Sequence, residues 1–228
     1  LGSRLLDYSQ LTAKIGYVFD SPGRIGRIIR QAPTKAKLKT TVHGLPAHAG
    51  NEPEKGINAI KVAGCIIAQM ADGRISPQTT GNIGSFTANG SSNIVAPLAE
   101  FDSELRSVNK EEFDRTLAAY RSLCQRIALE YNTTVTVDVD MLYQTFFVPD
   151  DSPVIAIAQK AMQQLNLTMQ LTSGGGGMDA NHFNQNAITA IGVAAGYSKN
   201  HGISEQVIIE DLKKAGELVA ELVKAVAE

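Results

Sequence analysis

The sequence predicts an outer α/β layer that is interrupted by an inserted α+β domain of the ferredoxin-like type. Between residues 37 and 139 the predicted order is strand, helix, strand, strand, helix, strand, which is the split βαβ pattern. After residue 149, helix and strand patterns alternate, as they do in an α/β layer. A Pro-containing stretch at 31–34 has the character of a linker. We therefore predict one domain from residues 1–33 and 149–228, and a second domain from residues 34–148.

Residue periodicity places the elements of the inserted domain. Leu38, Thr40 and Val42 lie on one side of a predicted strand. Asn109, followed by Glu112 three residues later, has the pattern of a capping box at a helix start. In chain order we predict a strand at 37–43, a helix at 57–71, strands at 80–87 and 99–106, a helix after Asn109, and a strand at 133–139.

The outer layer is predicted from apolar runs and turn residues. The run 14–19 ends in turn residues and is followed by 26–29, so the two are predicted to pair as a hairpin. Ser204 is predicted to cap the last helix. The other predicted elements are a helix opened by Ser152-Pro153 and ending near 165, a strand at 166–171, a Gly-rich loop at 173–177, a short helix from 178, and a buried strand at 188–193. The last helix is predicted to bury Ile208, Leu212, Ala215, Val219, Leu222 and Val226.

Composition bounds the classes of function. The chain has 228 residues, of which 43% are hydrophobic and 19% charged, with a net charge of −2. This balance is ordinary for a globular protein and gives no reason to expect a nucleic acid or a membrane as partner. Cys65 and Cys124 fall in helical patterns and are interpreted as small hydrophobic residues in a reducing, cytoplasmic compartment. The opening residues lack an initiator Met and resemble the middle of a helix, so we expect a piece of a longer protein.

Three side chains stand out as candidates for chemistry. His48 lies in a Gly/Pro-rich loop between a strand pattern and a helix pattern, where a side chain can project toward a substrate; His43 competes for the same role. Asp20 ends an apolar strand, so it is either a metal ligand or a turn aspartate. His201 follows a buried-strand run and is either a ligand or an exposed loop residue.

The histidine loop carries a family resemblance. Segment 42–50, Val-His-Gly-Leu-Pro-Ala-His-Ala-Gly, is followed by Pro53 and by Gly-Ile-Asn-Ala at 56–59. It resembles the lid-domain loop of the two-zinc aminoacylase/carboxypeptidase superfamily, and most of all its peptidase T (tripeptidase) branch. The resemblance selects His48 over His43. It implies that His48 acts from the partner subunit on the scissile carbonyl or its oxyanion, and therefore that the lid domain forms a homodimer.

The resemblance extends to the candidate metal ligands. Val-Phe-Asp ending at Asp20, followed by Gly23 and Gly26, is similar to the peptidase T segment whose aspartate binds one zinc ion. His201, a few residues ahead of Glu205, is similar to the histidine that binds the second ion. The resemblance thus implies two zinc ions, or another divalent metal, in each active site, with donors of the type that zinc accepts.

Substrate contacts are also implied by the resemblance. The segment around Asn93 and the strand end at Arg106 are similar to parts of the family that hold the substrate, although Pro97 falls one residue late. A Gly-rich loop including Gly175 and Gly176 is similar to the family's loop before Asp-Ala. Taken alone, Asn93 and Arg106 are more often a turn asparagine and a solvated strand arginine. A phosphate site is the rival interpretation of the Gly-rich loop, but the loop lacks the Gly-Lys-Ser/Thr ending of a P-loop.

No segment of the sequence resembles the one that carries the family's early His-x-Asp pair, or the one that carries its Glu-Glu pair with the general base. We therefore expect the C-terminal portion of a zinc-dependent exopeptidase that cleaves tripeptides or other short peptides, with little activity from this chain alone. One alternative is an N-acyl amino acid deacylase with the same site. A second alternative is a non-catalytic module that dimerises through the lid.

Overall fold

The computed structural model describes residues 2–227, and their contacts divide the chain into two compact units. Residues up to Pro33 together with those from Tyr143 onward form the outer unit, and Thr34–Leu142 form the inserted unit. The helices are α1 Gly2–Leu5, α2 Ala59–Gln69, α3 Lys110–Glu130, α4 Pro153–Gln164, α5 Asp179–Gln185 and α6 Ile209–Ala227. The strands are β1 Ile15–Ser21, β2 Arg27–Ala32, β3 Thr34–His43, β4 Gly73–Arg74, β5 Thr79–Thr87, β6 Leu98–Ser107, β7 Thr134–Tyr143, β8 Phe146–Phe147, β9 Gln170–Ser173, β10 Thr189–Ala194, β11 Tyr197–Ser198 and β12 Gln206–Val207.

The inserted unit is a five-stranded sheet with the order β4-β5-β6-β3-β7. Strands β3 and β6 pair antiparallel over their whole length, from Thr34 opposite Ser107 to His43 opposite Leu98. Helices α2 and α3 supply part of the hydrophobic core, including the fully buried side chains of Ile66 and Phe113. Apart from the short β4, this is the strand order of a ferredoxin-like domain, and the predicted mixed α/β fold class is confirmed.

Local signals in the inserted unit act as the sequence predicts. The Asn109 side chain accepts a hydrogen bond from the backbone N–H of Glu112 at 2.8 Å, which caps α3. Strand β3 alternates between buried and more exposed residues along its length. On its more exposed side, three lysines form ion pairs with acidic residues of β6; the pairs are Lys35–Glu104, Lys37–Asp102 and Lys39–Glu100.

The sheet of the outer unit differs from the predicted hairpin. Strand β10 lies between β1 and β2, parallel to β1 and antiparallel to β2. The prediction that 14–19 and 26–29 pair with each other is therefore wrong. The physical reason is the apolar character of β10, which is buried from Ala190 to Ala194 and takes the central position between the two strands.

Two neighbouring predictions are also wrong. The stretch 31–34 is not a linker, because Gln31 and Ala32 pair with Phe147 and Phe146 and only Pro33 separates β2 from β3. The predicted strand at 166–171 begins later, at Gln170, where it pairs with Arg27.

The outer unit buries α4 and α6 against each other and against the sheet. Helix α6 begins at Ile209, so Ser204 is not its cap; residues 206–207 instead pair with 197–198 as a short hairpin. The buried face of α6 consists of Asp211, Ala215, Leu218 and Leu222. Leu212, Val219 and Val226 of the predicted stripe are exposed, because a helix periodicity alone does not say which of two apolar rows meets the sheet.

Candidate active site

One cavity of the outer unit collects most of the predicted site residues. It has a volume of about 500 Å³. It is lined by Asp20, Ser21, Pro22, Arg27, Ile29, the four glycines 174–177, Met178, Tyr197, Asn200, His201 and Glu205. Because β1 and β10 are parallel, Asp20 and the segment that follows β10 emerge at the same edge of the sheet, which is where open α/β sheets bind ligands.

The hairpin that carries His201 is strained at its tip. His201 has φ of 65° and Lys199 has φ of 55°, a left-handed region that residues other than glycine rarely adopt. The backbone N–H of His201 donates a hydrogen bond to Oε2 of Glu205 at 2.9 Å. Glu205 therefore lies within the hairpin and in the cavity, rather than at the start of the last helix. Strain of this kind is common where side chains are held for function.

Tyr197 is a cavity residue that the sequence analysis does not single out. Burial raises the pKa of the Tyr197 phenol, and the charges of Asp20 and Glu205 together with a hydrogen bond to Asp20 raise it further. The phenol is therefore protonated and acts as a donor toward Asp20. The sequence signal that could have identified it is its position directly after the buried β10 run and just before His201.

The chemistry of the cavity suits a metal ion, but the number of ligands does not complete a site. The Asp20 and Glu205 carboxylates and the His201 imidazole are the donor types that zinc takes. Within residues 2–227, however, no group of three or more His, Cys, Asp or Glu side chains is placed to hold a metal ion. The predicted pair of zinc ions therefore stays a prediction.

The Gly-rich loop is held firmly at its ends. The backbone N–H of Gly177 donates to the Tyr143 hydroxyl at 3.0 Å, and a Cβ at Gly177 would collide with that ring. Gly174 packs against Ile29. By contrast, a Cβ added at Gly175 would meet nothing within 4 Å. Gly174 and Gly177 are thus required by packing, whereas the backbone at Gly175 faces the open part of the cavity.

Asn181 anchors the helix that follows this loop. Its side chain is fully buried and accepts a hydrogen bond from the backbone N–H of Met178 at 2.9 Å. Its amide nitrogen donates to the carbonyl of Gln144 at 2.7 Å. No local sequence signal identifies Asn181 or Tyr143, since both act through long-range contacts.

In the inserted unit, His48 and Asn93 lie on adjacent segments. The Nδ1 atom of His48 accepts hydrogen bonds from the backbone N–H groups of Gly50 and Asn51, both at 3.1 Å. In the neutral imidazole the proton is therefore on Nε2, which becomes the donor atom. The backbone N–H of Ala49 donates to the carbonyl of Asn93 at 2.9 Å. The structure brings these two predicted residues together.

Arg106 is not part of that arrangement. It lies eight residues beyond Leu98 on β6, a separation of about 27 Å at roughly 3.4 Å per residue. Its guanidinium forms two hydrogen bonds to Glu104, at 2.8 Å and 3.2 Å. Partial burial acts to raise the pKa of Glu104, but hydrogen bonds from Arg106 and Lys35 hold it below its usual value.

Comparison with known proteins shows a matching domain and several similar peptidases. Residues 34–132 match the peptidase dimerisation domain of the M20 type. The chain is 36% identical over 228 residues to the uncharacterised protein YqjE of Bacillus subtilis, covering all of this chain and 62% of that protein. It is 23% identical over 231 residues to peptidase T of Geobacillus thermodenitrificans, covering 98% of this chain and 54% of the relative.

Solved structures agree. Aminopeptidase PepT from Bacillus cereus superposes with a TM-score of 0.89 at 36% identity, covering 100% of this chain and 61% of that one. A tripeptidase from Staphylococcus aureus gives a TM-score of 0.92 at 30% identity, covering 99% and 60%. A hydantoinase/carbamoylase-type amidase from Burkholderia multivorans, at 17% identity and a TM-score of 0.66, shares the fold alone. The chain spans between 54% and 62% of the length of the curated relatives and peptidase structures named here. Residues 34–132 match the dimerisation domain of M20-type peptidases, and the chain as a whole is similar to peptidase T-like members of that family.

Proposed function

We propose that the protein functions as a zinc-dependent exopeptidase that removes an amino-terminal residue from tripeptides or other short peptides. The observation that carries this proposal is the cavity in which Asp20, His201 and Glu205 face the Gly-rich loop, in a chain of the peptidase T-like branch. In this proposal Asp20 and His201 each bind one of two metal ions. Bound metal would supply Lewis-acid activation of water and of the scissile carbonyl.

The roles of the protein's own side chains follow from their hydrogen bonds. With Nδ1 occupied by two backbone N–H groups, His48 offers Nε2–H as a donor to the oxygen on which negative charge develops. Asn93, on the adjacent segment, would hold the same oxygen or a substrate amide. The backbone at Gly175 and Gly176 would contact the peptide, because both glycines line the cavity and a Cβ at Gly175 would meet nothing within 4 Å.

Arg106 would bind the substrate carboxylate through its fork of N–H donors. Its present partner is Glu104, so substrate binding at Arg106 requires exchange of that ion pair for the new carboxylate. An Arg106→Lys variant keeps the charge but loses the fork. We expect it to raise KM for the peptide more than it lowers kcat.

We further propose a homodimer formed through the inserted unit, in which His48 acts in the active site of the partner subunit. The match of residues 34–132 to a dimerisation domain supports this proposal. The described residues lack a group of three metal ligands, so we expect the 228-residue chain alone to show little peptidase activity.

The deciding experiment compares the hydrolysis of two classes of substrate in the presence of zinc. Hydrolysis of tripeptides without hydrolysis of N-acetyl amino acids supports the exopeptidase, and the opposite selectivity supports the deacylase. If an enzyme that holds all of its metal ligands forms a dimer but cleaves neither substrate, the non-catalytic module is the remaining interpretation.

A further inference from the structure

The carboxylate of Asp211 is buried in an unusual way. Its side chain is 1% exposed, in the first turn of α6, and neither oxygen accepts a hydrogen bond from any described residue. The charged partner is Arg24, whose Nε lies 2.5 Å from Oδ2 but is directed so that no hydrogen bond forms. Arg24 itself is 74% exposed. A fully buried charge therefore faces a largely hydrated one.

Stability alone does not explain this pair. Removing a carboxylate from water is unfavourable, and a buried ion pair is often no more stable than apolar residues of the same size. The amino-terminal end of α6 favours a negative charge in its first turn, but by less than this desolvation cost. A charge kept at such a position is better explained by the geometry that it enforces.

Each of the two residues follows one of the predicted metal ligands in sequence. Arg24 belongs to the turn that directly follows Asp20, and Asp211 follows the hairpin that carries His201. At the base of this hairpin, Gly196 has φ of 82° and leaves room for Asp211, because a Cβ at Gly196 would collide with the Asp211 Cβ.

Backbone hydrogen bonds join the same two segments. The backbone N–H of Ala195 donates to the carbonyl oxygen of Ser21 at 3.0 Å, and the N–H of Gly196 donates to that of Gly23 at 3.0 Å. In return, the N–H of Gly23 donates to the carbonyl oxygen of Tyr197 at 2.9 Å. The ion pair adds one side-chain connection to this backbone seam. Side chain and backbone together connect the turn after Asp20 to the hairpin of His201.

We propose that the Arg24–Asp211 ion pair is a positioning device that fixes the turn following Asp20 relative to the hairpin that carries His201. This positioning role rests on the proposed function, in which the side chains of Asp20 and His201 bind neighbouring metal ions. Neither Arg24 nor Asp211 contacts the substrate in this proposal.

The test is hydrogen exchange on the whole chain, comparing Asp211→Asn with wild type and with a matched control. Asp150→Asn is the control, since Asp150 forms an ion pair with Arg30 in the same unit and is exposed. We expect Asp211→Asn to speed exchange at the amides of Ala195, Gly196 and Gly23 roughly tenfold, with β10 and α4 unchanged. Unchanged exchange at those three amides, or an equal rise throughout the outer unit, would overturn the proposal.

Removing the charge of Arg24 tests the same ion pair from its other side. Arg24→Gln leaves the buried carboxylate without its partner, so its effect on the same amides should exceed that of Asp211→Asn. The double variant should resemble Asp211→Asn, because the unpaired buried charge is gone but the connection between the two segments is still missing. If Arg24→Gln is silent while Asp211→Asn is not, the ion pair is not the cause.

Zinc titration of the same proteins separates this proposal from the proposed function. We expect Asp211→Asn to weaken zinc binding several-fold and Asp150→Asn to leave it unchanged. If Asp211→Asn speeds exchange in the hairpin but leaves the zinc affinity unchanged, the pair does not position the metal ligands. If wild type binds no zinc, the ligands present in this chain do not hold the ion by themselves, and the exchange data alone decide whether the pair holds the two segments.

Discussion

The imidazole of His48 is held by hydrogen bonds from two backbone amides, which determine the tautomer that a substrate would meet. His48→Ala removes a donor for the oxyanion, and loss of one such donor lowers kcat about 10²–10³-fold. The side chain is exposed, so the unfolding midpoint should barely move. Steady-state kinetics of tripeptide cleavage in the active enzyme measure the effect. His43→Ala is the control, and equal losses in both variants would remove the special role of His48.

Single glycines of the cavity loop have different tasks. Gly177→Ala places a methyl group against the Tyr143 ring, which should destabilise the protein by about 1–3 kcal/mol. Gly175→Ala meets no neighbouring atom and should change the free energy of unfolding by less than about 0.5 kcal/mol. Urea denaturation of both variants distinguishes the two positions. A larger loss of unfolding free energy in Gly175→Ala would mean that a neighbouring group occupies the space beside Gly175.

At the scale of elements, the helices of the inserted unit separate the two cysteines. Both thiols are free, Cys124 is buried in α3, and Cys65 is partly exposed in α2. Burial raises the pKa of Cys124 to about 11. At pH 8 we therefore expect a thiol reagent to modify Cys65 in the native protein and to reach Cys124 only on unfolding. Rapid reaction of two thiols per native chain would contradict this packing.

The Cys124 thiol also predicts how the stability of the protein depends on pH. A folded-state pKa of about 11 lies above the usual thiol pKa of 9.0, so the native state keeps the proton that the unfolded chain releases. The stability from Cys124 is present below pH 9 and is lost as pH rises toward 11. Urea unfolding at pH 8 and 10.5 should show a smaller fall in stability for Cys124→Ala than for wild type.

At the scale of the whole molecule, the proposal of a dimer is tested by mass. One chain has a mass of 24.4 kDa, so light scattering during gel filtration should give twice that value for the dimer. Dilution toward the dissociation constant should restore the monomer. A monomer at all concentrations would remove the partner subunit from the mechanism. Among residues 2–227, none of the helices could span a lipid bilayer.

The sequence alone determined the elements and order of the inserted unit, because its signals are local: alternation in β3, a cap at Asn109, and turns between neighbouring strands. It also placed Asp20, His48 and His201 as candidates through motifs of short span. Tertiary structure alone decided that β10 separates β1 from β2, that residues 206–207 pair with 197–198 instead of starting α6, and that Arg24 meets Asp211. These features depend on competition between distant segments for one buried position, and local periodicity carries no information about which segment prevails.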